Sequence, residues 1–148
     1  MKFSIFFGFV FFCFCSCKNI SAGSYPYAEI YKININADTL IKILRSIKQE
    51  DSNLLPPMEL HLIDGKTDST DYWYSFYFLN QSKNEIFFTW VREESREVTN
   101  FAFVSVSEGL RLGHWRKINK DFTGIENNIK KEEFKNLILN RIKNKLVK

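Results

Sequence analysis

Two long alternating segments flank Asn80-Gln81-Ser82-Lys83-Asn84, and they commit the middle of this chain to a β-hairpin. Asp71–Leu79 and Glu85–Glu93 are rich in Phe, Tyr, Trp, Ile and Val, side chains that fit a pleated, half-buried surface. A five-residue loop sets Leu79 opposite Glu85, and directly opposed residues share a face of the sheet. Phe78–Ile86, Phe76–Phe88 and Tyr74–Trp90 then make a continuous aromatic side, read as the core face. Leu79–Glu85, Tyr77–Phe87, Ser75–Thr89 and Trp73–Val91 make a mixed second face.

The flanking segments supply the rest of a fold. Tyr27–Ile35 alternates, with Tyr27, Tyr31, Ile33 and Ile35 on one side, and reads as a strand. Asn36 suits a helix N-cap, because its amide oxygen can accept an orphan backbone N–H. Leu40, Ile43, Leu44 and Ile47 follow at helical spacing, and the helix should end near Glu50, ahead of Pro56-Pro57. Met58–Ile63 reads as a further strand, with Met58, Leu60 and Leu62 on one face and Glu59 and His61 on the other. Val98–Val106 is the last strand. A three-residue loop before it places Ala102 and Val104 in the core, and a two-residue loop places Phe101 and Phe103 there. The former is preferred, since the two Phe would then cover the mixed face.

Ser107–Gly124 reads as an extended connection, and Phe134, Leu137, Ile138, Ile142 and Leu146 share one face of a final helix. Thr123-Gly124-Ile125-Glu126 resembles a capping box, but Ile125 and Ile129 fall out of phase with that face, so Asn127 or Asn128 is preferred as the cap. The expectation is an α+β domain over residues 27–148. Its mostly antiparallel five-stranded sheet carries two helices packed on one face, in the order β-α-β-β-β-β-α.

Ahead of that domain stands an apolar stretch from Phe3, too short for a permanent span, which takes roughly 20 apolar residues. It closes on Phe14-Cys15-Ser16-Cys17. Of the three cysteines only Cys17 follows a small residue, Ser16, and this resembles the bacterial lipoprotein signal over residues 1–17. The resemblance implies removal of residues 1–16, acylation of Cys17, and a tether over residues 17–26. Lys18 in place of Asp implies sorting to the outer membrane of the cell envelope. The alternative is an ordinary secretory signal cut after Ala22.

Charge is segregated. Lys18–Glu108 holds nine Lys and Arg against thirteen Asp and Glu, a balance of −4, whereas Gly109–Lys148 holds eleven against four, a balance of +7. For an exported chain, an acidic protein or anionic lipid heads suit that basic end better than nucleic acid, and a solvated helix face is the plainer reading. Two histidines, His61 and His114, are too few for zinc, and Asp64, Asp68 and Asp71 match no calcium loop. No nucleophile motif is present, so neither catalysis nor a cofactor is expected. Candidate binding residues are the aromatics Trp73, Tyr77 and Phe87 on the mixed face, and Arg111, His114, Trp115 and Arg116 in the connection. Trp and Arg are the types enriched at interface hot spots. Whether the connection covers the aromatic face, with Trp115 as a plug, is left open by the residues alone. The function expected is a membrane-anchored protein-binding module, an accessory subunit of an envelope complex or a toxin-immunity protein, with a ligand- or glycan-binding lipoprotein as the alternative.

Mass spectrometry of membrane-extracted protein should find acylated Cys17 as the first residue. An intact Met1, or an unmodified chain starting at Gly23, would overturn the lipoprotein assignment.

Overall fold

The computed structural model describes residues 24–110 and 112–147. After β1 (Glu29–Ile33), Asn36 turns the chain into α1 (Ala37–Glu50), its Oδ1 accepting the Thr39 backbone N–H at 2.8 Å. Leu40, Leu44 and Ile47 bury the stripe that their spacing foretells, and the helix stops at Glu50. Asp51 then caps a 3₁₀ turn, Ser52–Leu54, which drops Leu54 into the core.

Met58–Ile63 is not a strand. Met58–Leu60 forms a 3₁₀ turn, His61 is left-handed at φ 51°, and Met58 and Ile63 are exposed rather than packed. A strand needs a ladder partner, and the outer edge of β2 (Tyr74–Asn80) already has its own. Gly65 exchanges two backbone hydrogen bonds with Ser75, at 2.9 and 2.7 Å. Asp64 accepts the Tyr77 N–H at 3.0 Å, and the Lys48 ammonium donates to the Tyr77 carbonyl at 2.9 Å. Lys48, buried on α1, also pairs with Asp64 at 2.5 Å. The edge is thereby closed by an ion pair instead of a neighbouring strand.

The fifth strand comes from the connection that followed the last expected strand. β3 (Glu85–Ser95), β4 (Val98–Glu108) and β5 (Trp115–Lys117) complete an antiparallel sheet ordered β1-β4-β3-β2. β5 pairs with Ser105–Ser107 of β4, on the edge whose other half holds β1.

Both expected registers shift. Asn80, not Leu79, faces Glu85, because Asn84 at φ 54° closes a four-residue turn. That slip puts Phe76, Phe78 and Phe87 in the main core and leaves Tyr77, Phe88 and Trp90 on the second face. Between β3 and β4 a two-residue turn, Arg96-Glu97, follows a bulge at Glu94, so Phe101 and Phe103 enter the main core and Ala102 and Val104 do not. A second bulge, at Val104, lets Phe103 and Val106 face the same helices although they are three residues apart.

Three helices form where two were expected. Thr123, not Asn127 or Asn128, caps α2 (Gly124–Phe134), in a capping box with Glu126. A π turn over Lys135–Leu139 joins it to α3 (Asn140–Leu146). That turn absorbs the phase break, so that Ile125 and Ile129 stay exposed while Phe134, Ile138, Leu139 and Ile142 are buried. Asn127 is buried too, its Oδ1 accepting the Asn119 backbone N–H at 2.8 Å.

α1 and the C-terminal helices pack on one face of the sheet, around Phe134. Its ring stacks on Phe103 at 4.4 Å and meets Phe101, Phe87 and Tyr31 within 6.1 Å. The basic helices draw on the acidic half of the chain, through Lys130–Glu85 at 2.7 Å, Arg141–Asp51 at 2.7 Å and Lys145–Glu50.

Two substitutions test this packing by urea unfolding. Phe134→Ala should cost about 3–5 kcal/mol, the usual range for deleting a core ring. Lys48→Ala strands the Asp64 carboxylate and the Tyr77 carbonyl, and should cost about 2–4 kcal/mol. A loss below about 1 kcal/mol at Lys48 would show that the edge closure contributes little.

Candidate functional site

The sheet face opposite the helices carries a second, smaller apolar cluster built on Trp90, Ala102 and Val104. Beside it Tyr77 stacks on Phe88, with ring centroids 5.1 Å apart and planes 19° from parallel. These two neighbours across β2 and β3 form a floor. β5 brings Trp115 against one side, 6.2 Å from Tyr77 and 6.1 Å from Phe88. The chain ahead of β1 supplies the other side. Tyr25 sets its ring edge-on to Trp73 at 5.6 Å and to Phe88 at 5.9 Å.

Between these walls lies a cleft of about 370 Å³, lined by Tyr25, Leu62, Tyr77, Phe88, Val104 and Trp115, with Lys117 at the rim. Pockets that hold small ligands or single anchor side chains start near this size, about 300 Å³. The bulge in β4 shapes its base, since Val104 and Ser105 both line it.

The candidate residues divide. Tyr77 and Trp115 meet in the cleft. Trp73 shares the face, but it packs on Tyr25 and under the Arg92 guanidinium, 5.9 Å away. Phe87 is fully buried in the main core, on the opposite side of the sheet, because of the one-residue slip in the hairpin. His114 is exposed in the turn before β5. Arg116 alternates away from Trp115 and lies 3.9 Å over the Phe122 ring, where it pairs with Glu108 and Glu126 and donates to the Asp121 carbonyl at 2.9 Å. The hydrogen bond to Glu108 leads the causes that raise its pKa. Arg116 therefore clasps β5 to the start of α2. Arg111 and Cys17 lie outside the described residues.

The connection does not fold over the mixed face: β5 extends the sheet along the edge of β4, and Trp115 stands as a wall and not as a plug. Tyr25, Phe88, Leu62 and Val104 escaped the reading of the sequence. Tyr25 was assigned to the tether, although Tyr25-Pro26-Tyr27 is an aromatic pair that a mere linker has no reason to carry.

The cleft is a place for neutral groups. Burial raises the Tyr77 phenol above the ordinary tyrosine range, with Tyr25 and Asp64 adding to it. Burial also raises Tyr25, with Asp71 contributing. Neutral phenols present hydroxyls that donate and accept beside apolar walls. Among the described residues no three His, Cys, Asp or Glu are grouped to hold a metal, and no helix is long and apolar enough to cross a membrane. No protein-family model, curated protein or solved structure matches this chain.

An alkaline titration followed by tyrosinate absorbance should show Tyr25 and Tyr77 ionising above 10, and Tyr31, raised to about 12 chiefly by burial, later still. Each is neutral in the fold at pH values where the unfolded chain has lost the proton. The stability they lend is complete below pH 10 and falls as pH rises from 10 towards 12. Tyr77→Phe should delete a late-titrating tyrosine; loss of an ordinary one instead would contradict its burial.

Proposed function

We propose that this chain is an envelope lipoprotein, held at the outer membrane by acyl chains on Cys17, and that its domain binds a partner protein. The cleft between Tyr25 and Trp115 receives an apolar side chain of that partner. One observation carries the reading: the segment ahead of β1, the loop at Leu62, the central strands and β5 converge on an aromatic slot of about 370 Å³, and among the described residues that line it there is no His, Asp or Glu. Hot spots of protein interfaces are pockets of this kind, rich in Trp and Tyr and able to exclude water around one inserted residue. Either an accessory subunit of an envelope complex or a toxin-immunity protein uses such a slot.

A glycan is the second reading, favoured by the broad faces of Tyr77 and Trp115 together with the Lys117 rim. A sugar ring stacks on an aromatic face and takes its polar contacts at the edge. Nucleic acid is not part of the proposal, because much of the basic C-terminal half is engaged within the fold by Glu29, Glu85, Asp51 and Glu50.

Photo-crosslinking separates the two. A photoreactive amino acid in place of Leu62 should give a discrete protein adduct in intact cells, and Val104→Arg, which fills the slot with charge, should abolish it. The same group in place of Asn128, on α2, should give no such product. Absence of any protein adduct, together with binding of free saccharide that Trp115→Ala removes, would replace the protein partner by the glycan.

A further inference from the structure

Beyond α1 the chain wraps around the β2 edge, from Leu54 in the main core to Leu62 in the cleft on the second face. It makes this passage with its larger apolar side chains outward: Leu55 is 46%, Met58 88% and Ile63 80% exposed. Scattered exposed apolar residues are ordinary, but three within the single loop 55–63 mark a surface that is covered in use.

We infer that this rim seats the domain on the lipid bilayer, with Met58 and Ile63 entering the interfacial layer. The inference rests on the membrane anchorage proposed above and not on what fills the cleft. The place where the described chain begins argues for lipid. Cys17 stands seven residues before Ser24. A fully extended tether of that length reaches at most about 25 Å. Ser24 and Tyr25 line the cleft together with Leu62, so an anchor at Cys17 keeps that cleft, and the Leu62 loop at its side, within about 25 Å of the lipid. Tyr25 and Tyr27 line the same cleft as Leu62, and Tyr is a side chain that settles at headgroup level.

Charge points to insertion rather than to attraction by anionic lipid. Glu59, Asp68 and Asp71 stand in this part of the chain against Lys66. The seat therefore suits zwitterionic lipid and should hold in salt, which screens charge but not apolar burial. The basic C-terminal helices belong to the opposite face of the sheet.

The test uses acylated protein in vesicles of phosphatidylethanolamine and phosphatidylcholine. Met58→Cys, Ile63→Cys and, as a reference on the helix layer, Asn136→Cys each carry an environment-sensitive fluorophore. Positions 58 and 63 should shift to the blue and be quenched by brominated acyl chains, at low and high salt alike, while position 136 stays as in water. Protein that floats with the vesicles but keeps all three probes in water overturns the seat alone. Equal quenching at all three positions overturns it as well, since the domain then has no preferred side. Protein that does not float overturns the anchorage and the seat together.

Discussion

The placement of Lys48 is the constraint on which the rest of this structure depends. An open strand edge carries unpaired N–H and C=O groups and invites another chain to pair with it. Here α1 projects an ammonium group across to β2, where it meets both the Tyr77 carbonyl and the Asp64 carboxylate. Asp64 in turn takes the Tyr77 N–H, so one ion pair satisfies both backbone groups of one edge residue. The pair also fixes the path of the chain. With Asp64 held at the edge and Gly65 paired to Ser75, the segment before them cannot lie alongside β2 as a strand. It loops outward, which exposes Met58 and Ile63 and delivers Leu62 to the cleft.

The second face follows from the first. Phe134 gathers Phe87, Phe101 and Phe103 on the helix side, and alternation then leaves Phe88, Trp90, Ala102 and Val104 opposite. A face this apolar cannot stand bare. Tyr25 and Trp115 cover it from two sides, through a strand of only three residues and a segment with no regular structure. Because the cover comes as two flanks and not a sheet, a slot remains between them. The Tyr77–Phe88 pair is its rigid base, since both residues sit in paired strands.

What could be read from the residues divides along physical lines. α1 was legible from Asn36 to Glu50, because the cap, the apolar stripe and the following prolines all agree. The hairpin was legible as a hairpin but not in its faces. Both strands carry large apolar residues at nearly every position, so alternation does not choose a side, and a one-residue slip exchanges the two faces. That slip moved Phe87 out of the candidate site and Phe88 into it. The bulges at Glu94 and Val104 and the π turn after Phe134 each add one residue locally, and no composition marks them. Tyr77 and Trp115 were identifiable as spare aromatics. Tyr25 was not, since its neighbours Ser24 and Pro26 read as linker.

The segregated charge of the sequence takes on a different meaning in the fold. A basic C-terminal half suggests an anionic partner, yet Lys131 reaches Glu29, Lys130 reaches Glu85, Arg141 reaches Asp51 and Lys145 reaches Glu50. Each of these pairs joins segments distant in the chain rather than neighbours in sequence. Burial works against the Lys130 ammonium, but hydrogen bonds to Glu85 and Glu133 outweigh it and its pKa rises. Arg141–Asp51 and Lys145–Glu50 are partly exposed, and pairs of that type contribute only about 0.2–1 kcal/mol each. They orient the helices on the sheet more than they hold them there, whereas Lys130–Glu85 is largely buried. The helix side of the domain thus spends its charge internally. The opposite side carries the aromatic rings and neutral phenols of the cleft, with an outward apolar loop beside it.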